Sequence, residues 1–127
     1  MNRNIMVAIA AVMFVLTASP SAHHGMRDYR DDSIETVEGT LVKFDLRNPH
    51  SMVYVDSRDE QGRAWRWRIE WVAGLLLQRQ GVMGGTLKPA DHLVITGYPS
   101  HNPAEHRLKL RTVARPSDGW RWAGTFE

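Results

Sequence analysis

The sequence predicts a mainly β domain, and three features of it point there. Trp65, Trp67, Ile69 and Trp71 alternate with Arg66, Arg68 and Glu70, the period of two that gives a strand one apolar face and one charged face. The alternation returns at Leu93 and Ile95, set against Val94 and Thr96, and again at Leu108 and Leu110, set against Arg107, Lys109 and Arg111. Only one stretch of the polar-rich part of the chain reads as helical. It runs from Val72 to Gln80, with Leu75, Leu76 and Leu77 clustered and Gly81 placed as a C-terminal cap.

Taken in order, residues 23–33 are polar without periodicity and read as an arm. Ile34 to Leu46 forms the first strand. Its apolar residues change parity, from Val37 and Leu41 to Val42, Phe44 and Leu46, which requires a β-bulge near Gly39 to Val42. Asn48-Pro49 sets a turn, and Met52 to Val55 gives a short second strand. The tryptophan-rich third strand and the short helix follow, then a loop at Gly84-Gly85 and Pro89. His92 to Gly97 is the fourth strand, Tyr98 to Glu105 a polar loop with two prolines, and Arg107 to Val113 the fifth strand. Three strands, a helix and two strands is the order of the five-stranded Greek-key barrel, the OB-fold. The expectation is therefore a small OB-like antiparallel barrel over residues 34–127, with one short helix between strands three and four. An open sheet with one packed helix has the same order, and periodicity does not separate the two.

With 127 residues there is room for one domain. Lys and Arg total 16 against 14 Asp and Glu, and Arg3 is the only charge in the first 22 residues. That near-balance argues against a polyanion partner. There is no cysteine, which excludes disulfides and thiolate metal sites and leaves His and carboxylate as metal ligands. Arg3, the apolar run from Ile5 to Leu16 and the small-residue tail Thr17 to Ala22 have the pattern of an export signal. The run is too short for a bilayer span, which takes about 20 residues. Cleavage after Ser21 or Ala22 leaves a periplasmic chain that begins at Ala22 or His23, with no transmembrane anchor. A buried N-terminal helix is the alternative, and it leaves the abrupt change of composition at His23 without a cause. Export also argues against nucleic acid as a ligand.

Several short motifs stand in a fixed order: Ala22-His23-His24, Val37-Glu38-Gly39-Thr40-Leu41, Asn48-Pro49-His50-Ser51, Trp67 with Glu70, and Leu87-Lys88-Pro89-Ala90-Asp91 running into Gly97-Tyr98-Pro99. Together they resemble an uncharacterised family of small exported bacterial proteins, a domain of unknown function. The chain departs from that pattern at Gly25, where Ser is usual, and at Ala90, where Gly usually precedes the Asp. The resemblance implies periplasmic residence and no particular activity.

Six histidines direct attention to metal. A processed N-terminus places a free amine beside His23 and His24, and amine, amide and imidazole nitrogens suit square-planar Cu(II). His50 becomes a further ligand if the arm folds back, since eleven extended residues reach about 36 Å. His50, His101 and His106 lie in the two loops that flank one binding face of an OB barrel, so they form a candidate ligand cluster, with solvated loop histidines as the alternative. Arg66, Arg68, Arg107, Lys109 and Arg111 occupy the outward faces of strands three and five. They make a candidate patch for an anionic ligand or an acidic partner, or else a solvated face. Trp65, Trp67 and Trp71 read as core, while Trp120 and Trp122 either cap the barrel or serve a partner. No nucleophile elbow, phosphate-cradling loop or HExxH motif is present. The expectation is a periplasmic, non-catalytic binding module for a small ligand or protein. A Cu(II)-binding protein is the alternative, and a copper enzyme built on an N-terminal His the remote one.

Overall fold

The computed structural model describes residues 26–124. The expected export signal and the metal candidates His23 and His24 lie outside them. The strands are β1 (Glu35–Asp45), β2 (Met52–Arg58), β3 (Ala64–Glu70), β4 (His92–Pro99), β5 (Arg107–Arg115) and β6 (Trp120–Trp122). A short helix, α1 (Gly74–Arg79), follows β3, and a single 3-10 turn at Pro103–Glu105 precedes β5. Among the described residues no helix is long and apolar enough to cross a membrane.

β1 pairs with β2 on one side and β4 on the other, β2 pairs with β3, and β4 with β5, all antiparallel. Closure comes from β3 and β5, which run parallel over Arg68↔Arg107, Ile69↔Leu108 and Glu70↔Lys109. The five strands thus form the closed OB-like barrel that the element order predicts, and the open sheet is ruled out. The closing pair makes the barrel mixed rather than wholly antiparallel. Two further elements were not legible as periodicity: the 3-10 turn, and the three-residue β6 that extends the sheet beyond β5.

The expected bulge is present, where the β1–β2 register shifts between Leu41 and Lys43. Leu41 therefore faces the core beside Val37, while Val42 and Phe44 come to lie half-buried beyond it. A second shift falls opposite Thr96 and Gly97, so that Arg111 becomes the extra residue of β5 and Leu110 and Val113 both point inward. Gly97 permits this close pairing. A Cβ there would run into the Lys109 carbonyl and the Leu108 side chain. Ala90 sits at φ 75°, the left-handed conformation that a glycine adopts without strain.

The core is made of Val37, Leu41, Val53, Val55, Ile69, Leu93, Ile95, Leu108, Leu110 and Val113 from the strands, with Leu77 of α1 and Trp71 and Trp122 at one end. The tryptophan row along and just beyond β3 is not uniformly core. Trp71 is wholly buried, Trp67 half-buried and Trp65 37% exposed. The gradient follows from closure, because β5 covers β3 only from Arg68 onward. Trp122 caps the barrel, with its indole nitrogen donating to Gln80 Oε1 at 2.8 Å. The segment expected to be a free arm also folds onto the barrel. Tyr29 is buried, bridges to Ser100, and is followed by Arg30, whose N–H donates to the Pro99 carbonyl at 2.8 Å.

Candidate functional site

The loop between β1 and β2 is held in shape by its own backbone. Ser51 is buried, and its hydroxyl donates to the Arg47 carbonyl and accepts from the Arg47 N–H, each at 3.2 Å. The loop is also fastened to the start of α1. The Gly74 N–H donates to the Arg47 carbonyl at 2.8 Å and the Leu75 N–H to Asn48 Oδ1 at 3.2 Å. Glycine at position 74 suits this close approach, since a Cβ would stand 3.1 Å from the Arg47 backbone, a tight contact. Two rigid walls result, Pro49 and His50 on one side and Val72, Ala73 and Leu76 on the other. They enclose a cleft of about 530 Å³, completed by Met26, Tyr98 and Lys109.

At one side of this cleft lies an ionic cluster. Glu70, the last residue of β3, accepts from Lys109 Nζ at 2.7 Å and from the Tyr29 hydroxyl at 2.8 Å, and His50 Nδ1 stands 2.9 Å from it. The Lys109 side chain is 8% exposed and that of Glu70 13%. Tyr29 in turn accepts from Arg107 at 3.1 Å, and Arg107 pairs with Glu105 at 3.3 Å. Burial alone would raise the Glu70 carboxyl, but the hydrogen bonds from Lys109 and Tyr29 and the Lys109 charge outweigh it and hold the group below its usual range. Burial and the neighbouring Glu70 push the Tyr29 hydroxyl up, so it stays protonated and donates.

An ammonium carries three N–H donors. Lys109 gives one to Glu70 and has no other hydrogen-bond partner among the described residues. A buried cation with unused donors thus lines a cleft whose other walls are largely apolar.

The residues expected to form sites are distributed differently from the expectation. Lys109 is not on a solvated cationic face. The N-terminal segment and the β1–β2 loop bring Tyr29 and His50 over the outside of β3 and β5, which buries it. Arg66 makes a two-point ion pair with Asp56 at 2.7 and 2.9 Å, and Arg107 is occupied by Tyr29 and Glu105. Arg68 and Arg111 are exposed and have no ion pair among the described residues. The five cations therefore do not make one open patch, because three of them are matched by carboxylates from neighbouring elements.

His50, His101 and His106 do not converge either. His106 stacks on Trp65 with ring centroids 4.3 Å apart and meets Trp67 edge-on at 5.2 Å. His101 is exposed, with its backbone N–H donating to Asp28. Among the described residues no three His, Asp or Glu side chains gather to hold a metal ion. His50 and Glu70 are a pair, so a metal there needs ligands from elsewhere.

Sequence reasoning missed Tyr29, Tyr98, Val72 and Leu76 as site residues and took Glu70 only as a charged position of the third strand and a residue of the family pattern. Tyr29 had a signal of sorts, being the one aromatic residue in the polar stretch 23–33. Glu70 shares strand parity with Arg66 and Arg68, but its pairing across the barrel seam with Lys109 depends on a register that alternation does not specify.

The pattern of a family of unknown function (DUF6152) matches residues 11–109. That stretch contains every residue of the cleft, from Met26 to Lys109. No curated protein and no solved structure matches the chain.

Proposed function

The chain belongs to the DUF6152 family, a family of unknown function, and we propose that it is an exported, periplasmic, non-catalytic binding module that holds a small ligand in the cleft between Pro49-His50 and α1. The observation that carries this reading is the cleft itself. Its volume of about 530 Å³ falls within the range of small-molecule sites, and such sites combine apolar walls with a few placed polar groups. The signal-like residues Ile5 to Ala22 support export. The surroundings of His50 support a binding rather than a catalytic role. Ser51, the adjacent hydroxyl, is buried and committed to Arg47, so it does not serve the imidazole as a nucleophile.

A neutral fluorescent probe, N-phenyl-1-naphthylamine, tests the reading. Its emission should rise on mixing with the processed protein and should fall at least fivefold for Ala73→Trp, which fills the cleft from the helix side. Equal enhancement by both proteins, with both folded by circular dichroism, would place the probe elsewhere and count against the cleft.

A second reading is Cu(II) binding at a processed N-terminus, and one observation favours it. His23 and His24 directly follow the signal-like segment, so a processed chain presents their imidazoles beside the free amine. Copper titration followed by visible absorption should then give one site on protein that begins at Ala22 or His23. A one-residue N-terminal extension should abolish it, and unchanged binding would remove the terminal amine from the site.

A further inference from the structure

We propose that the ligand of this cleft is an apolar molecule with a single carboxylate head, the head accepting hydrogen bonds from Lys109 Nζ and the body lying between Pro49 and Leu76. This inference rests on the cleft reading above and adds the chemical class of the ligand.

The head group follows from the donors. Lys109 is more than nine-tenths buried, keeps one bond to Glu70, and lines the cleft with its other N–H groups unpartnered among the described residues. Those N–H groups suit an acceptor placed in the cleft. A cationic or donor-only head would face an ammonium and leave those donors unused. An ionised acceptor makes the stronger bond to an ammonium, which favours carboxylate over a neutral hydroxyl.

The single charge follows from a count of the groups that face the head. Lys109 and Glu70 cancel. Arg107 is already shared between Tyr29 and Glu105, and Tyr29 stays neutral. His50, 2.9 Å from Glu70, and Tyr98 are the further polar side chains that line the cleft. A carboxylate adds one negative charge beside Glu70, the least that an ionised acceptor can bring. A phosphate monoester would bring a second negative charge against Glu70 with nothing to offset it.

The body follows from the walls. Met26, Pro49, Val72, Ala73 and Leu76 present no side-chain hydrogen-bonding group apart from the weak thioether acceptor of Met26. A sugar or a peptide carries more polar groups than Tyr98, His50 and Lys109 can pair with. A hydrocarbon body gains the most from burial in such a space.

Decanoate, decanol and decylamine, each below its micellar concentration, separate these alternatives by displacement of N-phenyl-1-naphthylamine from the processed protein at pH 6. Decanoate should bind at least tenfold more tightly than decanol, and decylamine more weakly than either. Lys109→Met should erase the preference for decanoate while decanol binding persists. Because that substitution strips Glu70 of its counter-ion and risks unfolding, Glu70→Gln provides an independent test. Gln keeps an acceptor for Lys109 but removes the competing negative charge, so decanoate should bind at least threefold more tightly. Equal binding of decanoate and decanol to the wild-type chain, or weaker decanoate binding by Glu70→Gln, would overturn the carboxylate assignment and leave the cleft standing as a site. If none of the three displaces the probe and Ala73→Trp does not alter the probe's emission, the cleft reading falls as well.

Discussion

Trp71→Ala is expected to lower the stability of the folded chain by about 3 to 5 kcal/mol, the usual cost of truncating a fully buried large aromatic. Trp71 lies just beyond β3, wholly buried, with its ring edge-on to Trp122 at 5.0 Å between centroids and tilted against Phe44 at 5.7 Å. Its removal empties the end of the barrel where β1, β3 and β6 meet. The indole nitrogen of Trp71 is buried without a partner among the described residues, so that N–H contributes nothing that a phenyl ring lacks. Trp71→Phe should therefore recover a large part of the loss. Urea denaturation of the three proteins measures both effects, and a wild-type midpoint for Trp71→Ala would contradict the assignment of this residue to the core.

Glu70→Leu should cost about 3 kcal/mol, because it leaves the buried Lys109 ammonium without its counter-ion. It also removes the acceptor of the Tyr29 hydroxyl, which helps to hold the N-terminal segment against β4 and β5. The pH dependence should identify the cause. The Glu70 carboxyl is held below its ordinary range in the folded chain. Its contribution is therefore fully present above the ordinary glutamate value of about 4.3 and is lost as pH falls through the lower folded value. The stability gap between wild type and Glu70→Leu should stay constant from pH 7 to about pH 5 and narrow below about pH 4. A gap that persists undiminished at the lowest pH where both remain folded would indicate lost packing rather than a lost ion pair.

The barrel was largely legible because strand alternation and element order are local properties. Leu93 with Ile95 and Leu108 with Leu110 declare their inward face, and the parity change at Leu41 and Val42 declares the bulge. Much of the candidate site was not legible, and Lys109 shows why. By parity it belongs on the outside of β5, and a charged residue on an outward face is ordinarily solvated. Whether it meets water depends on what crosses that face, and here Tyr29 and His50 do, from segments 80 and 59 residues earlier in the chain. Trp65 errs in the opposite direction. Its alternation marks it as core, but β5 begins too late to cover it, so it stacks on His106 at the surface.

What the sequence by itself determined is the five barrel strands, the single α-helix, the bulge in the first strand and the absence of thiol chemistry. Each rests on residue identity and on spacing within one element, which persist whatever the rest of the chain does. What only the tertiary structure decided is the parallel seam between β3 and β5, the burial of Lys109 against Glu70, the pairing of Arg66 and Arg107 with carboxylates, and the cleft beside α1. All of these are contacts between segments far apart in the chain, and a one-residue change of register would send the same side chains to the opposite face.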